Sequence, residues 1–282
     1  GTASALGLAG SQTTGVWAFL GDGTNSKVLN PGQAAMTGLR CTYLARYGMQ
    51  GPVHVLEAED GGLLNAMSDG GHLEELTEGL GTTWDMKPYP CCRSAHAGID
   101  GALSLRKAIL GEGMLPLADA EQRILDSVVS LEAETYKIGY QQCAVSDGCL
   151  HPQNPLDAKF SLPFTLAGAL VLGQVDQSLF TPEKVADPAI QTMLGRIRVR
   201  EAADLTAAYP GHWSCRVKVQ LKDGRVLGQF IQDPTGSYRK PLSEEAALQK
   251  AEGLLANVYP HQAAQVARKL LNLPEAEKLP EV

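Results

Sequence analysis

The sequence predicts an α+β protein in which a smaller α+β domain is inserted between two helical segments. Helical periodicity dominates the first 85 residues, and apolar and polar residues alternate beside further helices from about residue 86 to residue 241. Helical periodicity then returns over residues 242–282. We therefore expect a helical domain over 1–85, an α+β domain over 86–241, and C-terminal helices over 242–282 that pack back on the helical domain.

The first segment lacks the polar lead-in that normally opens a domain. Residues 2–20 are mostly small or apolar, as in a buried helical layer, so we expect the chain to begin partway through a larger, only partly present helical domain. Asn30 followed by Pro31 predicts a helix N-cap and first turn, and Gly48 predicts the end of this helix.

The second segment combines strands with helices. Period-two alternation predicts half-buried strands in three places: 129–134, 197–199 and 215–222. On the first of these, Val129 and Leu131 are expected to face inward. Asp223-Gly224 predicts a tight hairpin turn into another strand at 226–231. Helical patterns at about 96–110 and 157–172 separate the strands, and we expect an antiparallel sheet.

The third segment is predicted as two helices. Ser243 is a suitable N-cap for a helix over 244–256, because its hydroxyl can accept from a free backbone N–H. An amphipathic pattern predicts a second helix over 261–273. A polar tail containing proline follows, and we expect its end to fray.

Composition excludes several classes of protein. With 44% hydrophobic residues among 282, the chain can bury a real core. The formal charge of -7 argues against nucleic acid or an anionic membrane as the main partner, and no apolar run approaches the ~20 residues that span a bilayer. Six cysteines are too few for a disulfide scaffold and no secretory signal is found, so we predict a cytoplasmic protein with reduced thiols.

Two lysines are candidate ligands for an anion. Lys27 precedes the Asn30-Pro31 helix start, where free N–H groups favour a carboxylate or phosphate; a solvated loop lysine is the alternative. Lys87 stands where the composition changes between the first and second segments, and clefts at domain junctions are common ligand sites.

The stretch from Lys87 to His96 is the densest polar segment. Pro88 and Pro90 fix φ and lack N–H donors, so we expect an extended connector or an edge strand. In that geometry Lys87 and Arg93 lie ~20 Å apart, too far to bind one small carboxylate. Arg93 and His96 lead into the next helix, where helix capping and a surface histidine are the alternatives to a functional role.

Motifs for metal, nucleotide and serine-hydrolase chemistry are missing from the sequence. Cys143, Cys149 and His151 lack a second pair of ligands to complete a zinc site. The adjacent Cys91 and Cys92 are either redox-active or simply thiols on opposite faces of a strand. We therefore expect neither a metal nor a cofactor.

Six blocks, in order along nearly the whole chain, resemble the MmgE/PrpD family. Two of them read KVLNPGQAA from Lys27 and KPYPCCRSAH from Lys87. The six blocks cover residues 10–15, 27–35, 51–62, 84–96, 155–164 and 236–242. The resemblance implies a large helical domain and a smaller α+β lid, with the active site between them and a homodimer as the assembly. It also implies the site residues: Lys27, Lys87 and His96 as catalytic, and Ser11, Gln12, Arg93 and Phe164 as substrate-binding.

Two departures separate this chain from the family pattern. Family members carry a helical stretch before the point where this chain starts, and that stretch supplies an acidic residue and a histidine to the pocket. The family's pocket tyrosine, in the pattern F-S-x-x-Y, falls on Phe164, which has no hydroxyl to move a proton. Both departures weaken a dehydratase or a decarboxylase assignment.

The resemblance predicts a lyase or isomerase that removes a proton α to a carboxylate of a small di- or tricarboxylate. A hydro-lyase like 2-methylcitrate dehydratase is the first expectation, with decarboxylation and epimerisation, as in cis-aconitate decarboxylase and iminodisuccinate epimerase, as alternatives. A different class of function also stays open: a non-catalytic remnant or a split subunit, whose missing helices come from a separate chain. Under the first hypothesis, the partner is a small polycarboxylate substrate.

Overall fold

The computed structural model describes residues 1–13, 15, 25–69, 84–111, 113 and 115–272. The chain divides into two compact units, residues 1–83 and residues 84–282. Helices together with one small sheet confirm the α+β class. The predicted return of residues 242–282 to the helical domain stays a prediction. Among the described residues, no helix combines the length and the apolar character that a membrane crossing needs.

The described helices of the first unit are α1 (Thr2–Gly10), α2 (Leu29–Arg46) and α3 (Leu63–Met67). A 3-10 helix, Asn25–Val28, runs straight into α2. The prediction that Asn30 caps this helix is therefore wrong, because the helix begins one residue earlier and has no separate cap. Within α1 the buried residue is Gly7, so the buried layer expected over 2–20 is not seen in this helix; residues 16–20 lie outside the described residues.

The described part of the second unit holds four strands, β1 (Val128–Thr135), β2 (Ile197–Glu201), β3 (Cys215–Leu221) and β4 (Val226–Ile231). Its described α-helices are, in chain order, α4 (His96–Leu110), α5 (Leu117–Ser127), α6 (Lys137–Cys143), α7 (Asp147–Leu150), α8 (Pro155–Lys159), α9 (Leu162–Leu172), α10 (Pro182–Val185), α11 (Pro188–Leu194), α12 (Ala203–Ala208), α13 (Glu244–Leu255) and α14 (Ala263–Leu271). The predicted Ser243 cap is confirmed, since its hydroxyl accepts from the Ala246 N–H.

The sheet has the strand order β2-β1-β3-β4. β3 and β4 form the antiparallel hairpin predicted from Asp223-Gly224, and β1 pairs antiparallel with β3. β1 and β2, however, run parallel. The expectation of a purely antiparallel sheet is therefore wrong, because the chain crosses over through α6–α11 before it returns as β2.

The first strand contains an irregularity that alternation alone does not predict. Pairing between β1 and β3 shifts between Val128 and Ser130. Val128 is consequently buried, whereas Val129 is 48% exposed. The prediction that Val129 faces inward is wrong, because an extra residue in one strand reverses the facing of the residues before it.

One face of the sheet is covered by α4, which lies on β3 and β4, while α9 packs against α4. Two glycines allow α4 to approach closely. A Cβ at Gly101 would lie 3.0 Å from Val217 Cγ2, and one at Gly98 would lie 2.9 Å from Leu162 Cδ1. This packing fixes the N-terminus of α4, where the candidate site begins.

The single helix predicted over 157–172 is two helices, α8 and α9. The helical conformation is interrupted at Phe160 and Ser161, and the Ser161 hydroxyl accepts from the Phe164 N–H at 3.0 Å. The one-helix prediction is wrong because this serine acts as an N-cap, followed by Pro163 in the first turn.

Candidate functional site

Residues 85–96 fold into a compact segment at the start of the second unit, which we call the cationic turn. The Lys87 ammonium donates to the Cys91 carbonyl oxygen at 3.2 Å, and the Cys91 N–H donates to the Tyr89 carbonyl oxygen at 2.9 Å. A 3-10 helix, Arg93–Ala95, then leads into α4. The predicted extended connector is wrong, because these local hydrogen bonds turn the chain back. The expected separation of ~20 Å between Lys87 and Arg93 therefore does not hold.

Arg93 ties the cationic turn together. Its Nη2 donates to Asp85 Oδ2 at 2.9 Å, and its Nη1 donates to His96 Nδ1 at 3.1 Å and to the Thr235 carbonyl oxygen at 3.3 Å. The Arg93 side chain is 10% exposed, while that of Asp85 is 42% exposed. The guanidinium is therefore a largely buried charge held in a fixed orientation.

His96 is a fully buried, neutral imidazole. Because an arginine N–H can only donate, Nδ1 accepts and the ring proton lies on Nε2. Burial, followed by the charges of Arg93 and Lys87, lowers the pKa of His96 to about 3. Its Nε2 has no hydrogen-bond partner among the described residues. The surface-histidine alternative is therefore wrong.

Lys250, on α13, is a third cation at the cationic turn. Its ammonium donates to the backbone carbonyl oxygen of Lys87. Burial, and then the charge of Lys87, lowers the pKa of Lys250. The Lys250 charge also acts on His96. Sequence reasoning missed this residue because it lies 163 positions from Lys87, and no local pattern links the two.

The cationic turn is held from both sides by α4 and by the loop after β4. Asp100 of α4 accepts from the Tyr89 hydroxyl at 2.6 Å and from the Thr235 N–H at 2.7 Å. The Met86 N–H donates to the Gly236 carbonyl oxygen at 2.8 Å. Gly236 has φ of +81°, and a Cβ there would lie 2.0 Å from the Met86 carbonyl oxygen, so only glycine fits.

This arrangement of charges suits an organic acid. Lys87, Arg93 and Lys250 gather three positive charges at the N-terminus of α4, and Asp85 pairs with only one of them, Arg93. The His96 N–H lies beside them without a partner. Charged donors and free N–H groups at a helix N-terminus are the groups that bind carboxylates in proteins.

Two models of one protein family match this chain. The MmgE/PrpD N-terminal domain matches residues 1–76, and the MmgE/PrpD C-terminal domain matches residues 89–273. The chain belongs to the MmgE/PrpD family. The resemblance inferred from the six sequence blocks is thereby confirmed.

Curated relatives of this MmgE/PrpD chain include two cis-aconitate decarboxylases. The protein from Mus musculus is 24% identical over 230 residues, which cover 79% of this chain and 44% of the relative. The protein from Homo sapiens is 24% identical over 229 residues, with the same coverage of 79% and 44%. The chain therefore matches less than half the length of each.

Three predicted site residues lie in the part that matches the MmgE/PrpD N-terminal domain. Ser11 Oγ donates to the Gly7 carbonyl oxygen at 2.9 Å, and Gln12 Nε2 donates to the Leu8 carbonyl oxygen at 2.9 Å. Gln12 lines a cavity of about 310 Å³ beside α2, and Ser11 lines another of about 440 Å³. Lys27 lies in the 3-10 helix before α2 with an exposed side chain. Their roles at a substrate stay predictions.

Phe164 lies in the hydrophobic core of the second unit. Its side chain has no exposed surface, and its ring centre lies 6.4 Å from that of Phe180. The position where the family pattern has a tyrosine thus holds a buried phenylalanine. Its predicted contact with substrate stays a prediction.

Proposed function

We propose that this chain is a lyase or isomerase that acts on a small di- or tricarboxylate by removing a proton α to a carboxylate. One observation carries the proposal: the cationic turn gathers Lys87, Arg93 and Lys250 beside the unpartnered N–H of His96. Membership in the MmgE/PrpD family and similarity to proteins named cis-aconitate decarboxylase support it.

In this proposal the charges of the cationic turn stabilise the transition state for removal of the α proton. Loss of the α proton moves negative charge onto the neighbouring carboxylate, and fixed cations lower that barrier most where water is excluded. Arg93 is 10% exposed and is already held by three acceptors, so little reorganisation is needed when the charge forms. Lys87 is exposed and supplies the contact to incoming substrate.

In this proposal His96 donates a hydrogen bond and does not act as the base. Its Nδ1 lone pair already accepts from Arg93, and its pKa of about 3 keeps the ring neutral at physiological pH. The Nε2–H therefore donates to a substrate carboxylate or to the oxygen on which charge develops. The proton acceptor is a different group.

A second candidate function is carboxylate binding without turnover. The specific observation in its favour is Phe164, which lacks the hydroxyl of the family tyrosine and is buried. Under this alternative the cationic turn still binds an organic acid, but no proton leaves the α carbon. The two functions therefore differ in exchange chemistry and agree on binding.

The test follows hydrogen exchange at the carbon next to a carboxylate. The full chain is incubated in D2O with cis-aconitate, citrate or succinate, and the acids are analysed by NMR. We expect deuterium incorporation or a new product from at least one acid. Lys87→Met should slow it about tenfold to a hundredfold, because a charge-assisted hydrogen bond contributes ~1.5–3 kcal/mol. Lys222→Met, at an exposed lysine of the hairpin, is the matched control and should leave the rate unchanged.

The outcomes separate the two candidates. Binding that depends on Lys87 without any exchange supports the carboxylate-binding alternative. Exchange with equal rates in the wild type and Lys87→Met removes the cationic turn from the mechanism. Absence of both exchange and binding for all three acids contradicts the proposal.

A further inference from the structure

The adjacent cysteines of the cationic turn have different surroundings. Cys91 is buried in the hydrophobic core, and its thiol donates to the Cys92 carbonyl oxygen at 3.7 Å. Burial, followed by the charge of a Cys92 thiolate, raises the pKa of Cys91. Cys92 is half-buried, and its Sγ lies 3.9 Å from Gln142 Oε1 on α6. The neighbours in sequence are therefore not a reactive pair.

Cys92 instead meets Cys143, the last residue of α6. Gln142, the neighbour of Cys143, lies with its Oε1 3.9 Å from Cys92 Sγ, and the largest contribution to the lowered pKa of Cys92 is a hydrogen bond from the buried Cys143 thiol. Gln142, the residue before Cys143, also accepts from the Ser94 hydroxyl at 3.3 Å, so two contacts hold the end of α6 against the cationic turn. The two sulfur atoms are neighbours because of how these elements pack.

The pKa values of the two thiols are shifted in opposite directions, as expected for a pair in which one sulfur reacts first. The hydrogen bond from Cys143, then those from Ser94, then the charge of Lys87 lower the pKa of Cys92 despite burial. The hydrogen bond to Cys92 and burial raise the pKa of Cys143, which has no exposed surface. Thiolates, not thiols, react with peroxides, so Cys92 is the sulfur that reacts first.

We propose that Cys92 and Cys143 are an oxidation site that closes to a disulfide when a hydroperoxide reaches Cys92. The Cys92 thiolate attacks the peroxide, an S–O bond forms, the O–O bond breaks, and the released alkoxide or hydroxide takes a proton. Cys143 sulfur then attacks the sulfenic acid at Cys92, the S–S bond forms and the S–O bond breaks. Hydroxide leaves with the Cys143 proton as water. Two thiols lose two electrons, and the peroxide gains them.

The disulfide also has a consequence for the carboxylate site, and this consequence rests on the proposed function. Cys92 directly precedes Arg93, and the Cys91 carbonyl oxygen accepts from Lys87. A bond from Cys92 to α6 changes the backbone that carries both cations. We expect the oxidised protein to bind cis-aconitate several-fold more weakly than the reduced protein.

The test uses mass spectrometry of the intact chain and its peptides. The protein is treated with one equivalent of hydrogen peroxide, unfolded, alkylated with iodoacetamide and digested with trypsin. We expect the peptide with Cys91 and Cys92 linked to the peptide that holds Cys143 and Cys149, with fragment ions placing the link on Cys92 and Cys143 and the alkyl groups on Cys91 and Cys149. Dithiothreitol should remove the link. Cys91→Ser should keep the link, whereas Cys92→Ser should abolish it.

Three results would overturn the proposal: a Cys91–Cys92 disulfide, oxidation of Cys92 to a sulfinic acid without a link to Cys143, or unmodified Cys92 after treatment. Cys215 is an internal control, because it is fully buried, burial raises its pKa to about 12, and it should be alkylated only after unfolding. The peptide assignment needs no variant to fold. The disulfide is detected without cis-aconitate, so this test of the oxidation site does not depend on whether the proposed function is correct.

Discussion

At the scale of single residues, His96 and Lys250 give the cationic turn its chemical character. His96 is buried as a neutral ring, a state that the charges of Arg93 and Lys87 favour, and Lys250 is drawn partly out of water to reach the Lys87 backbone. Each placement costs folding free energy unless something is gained from it. A site that binds negative charge is where such placements are expected.

The depressed pKa of His96 makes the protein sensitive to acid. The folded state holds the ring neutral down to about pH 3, whereas an unfolded chain protonates it near pH 6.5. The unfolded state therefore binds more protons between these values, and stability falls as pH drops below about 6.5. We expect the free energy of unfolding to fall by ~2 kcal/mol from this group between pH 7 and pH 5.

Urea titrations of the wild type and of His96→Gln at both pH values measure this contribution. The variant should lose less stability on acidification than the wild type, by about the same ~2 kcal/mol. His151→Gln, at an exposed histidine, is the control and should behave like the wild type. Parallel losses in the wild type and His96→Gln would show that His96 titrates normally.

Lys250 is expected to act on carboxylate affinity through Lys87. Lys250→Met removes a charge and the hydrogen bond to the Lys87 carbonyl oxygen, and we expect a loss of ~1 kcal/mol, about a fivefold higher dissociation constant for cis-aconitate. Lys250→Arg should retain most of the affinity. Isothermal titration calorimetry measures both, with Lys269→Met, at an exposed lysine of α14, as control. An unchanged dissociation constant in Lys250→Met would contradict this role of Lys250.

At the scale of elements, the sequence predicts the turns and helix starts that hydrogen bonds between neighbouring residues determine. Asp223-Gly224 predicted the hairpin because only two residues decide that turn, and Ser243 predicted the start of α13 for the same reason. The prolines of the cationic turn predict an extended conformation. The turn is not extended because Gly236 and Asp100, which belong to other elements, form hydrogen bonds with it. The sequence does not indicate a role for Lys250 for the same reason, since its hydrogen-bond partner, the Lys87 carbonyl oxygen, lies far away along the chain.

The parallel pairing of β1 and β2 has a similar cause. Alternation shows that a strand has one buried face, but it carries no information on direction. Direction follows from the crossover through α6–α11, whose helices had been predicted only in part. One family block contains Lys87, Arg93 and His96, but the predicted extended conformation separated Lys87 from Arg93, whereas the structure brings these three residues together.

Gly236 tests how strictly the cationic turn is held by the loop after β4. Gly236→Ala puts a Cβ 2.0 Å from the Met86 carbonyl oxygen at a φ of +81°, so the loop and the turn must separate. Gly224→Ala is the matched control, because its φ is +89° and nothing lies within 4 Å of a new Cβ. We expect ~1–2 kcal/mol of destabilisation for Gly224→Ala from backbone strain alone.

Gly236→Ala should cost a further ~1–3 kcal/mol because of the clash, and carboxylate affinity should fall with it. Denaturant unfolding measures the first effect and calorimetry with cis-aconitate measures the second. Equal stability of the two variants would mean that the Met86 contact yields without cost.

At the scale of the whole molecule, the cationic turn is a positive site on a protein with a formal charge of -7. The overall charge repels an organic acid, so binding depends on the local cations, of which Arg93 is only 10% exposed. The two compact units coincide broadly with the two family domains. Lys87, Arg93, His96 and Lys250 all lie in the second unit.

Lys87 and its neighbouring cations are expected to bind a carboxylate. The most direct measurement is the dissociation constant of cis-aconitate for the full chain and for Lys87→Met, by calorimetry at neutral pH. We expect binding by the wild type and an increase of about tenfold or more in the dissociation constant of the variant, because a charge-assisted contact is lost. No binding by the wild type, or equal affinity of the two proteins, would contradict it.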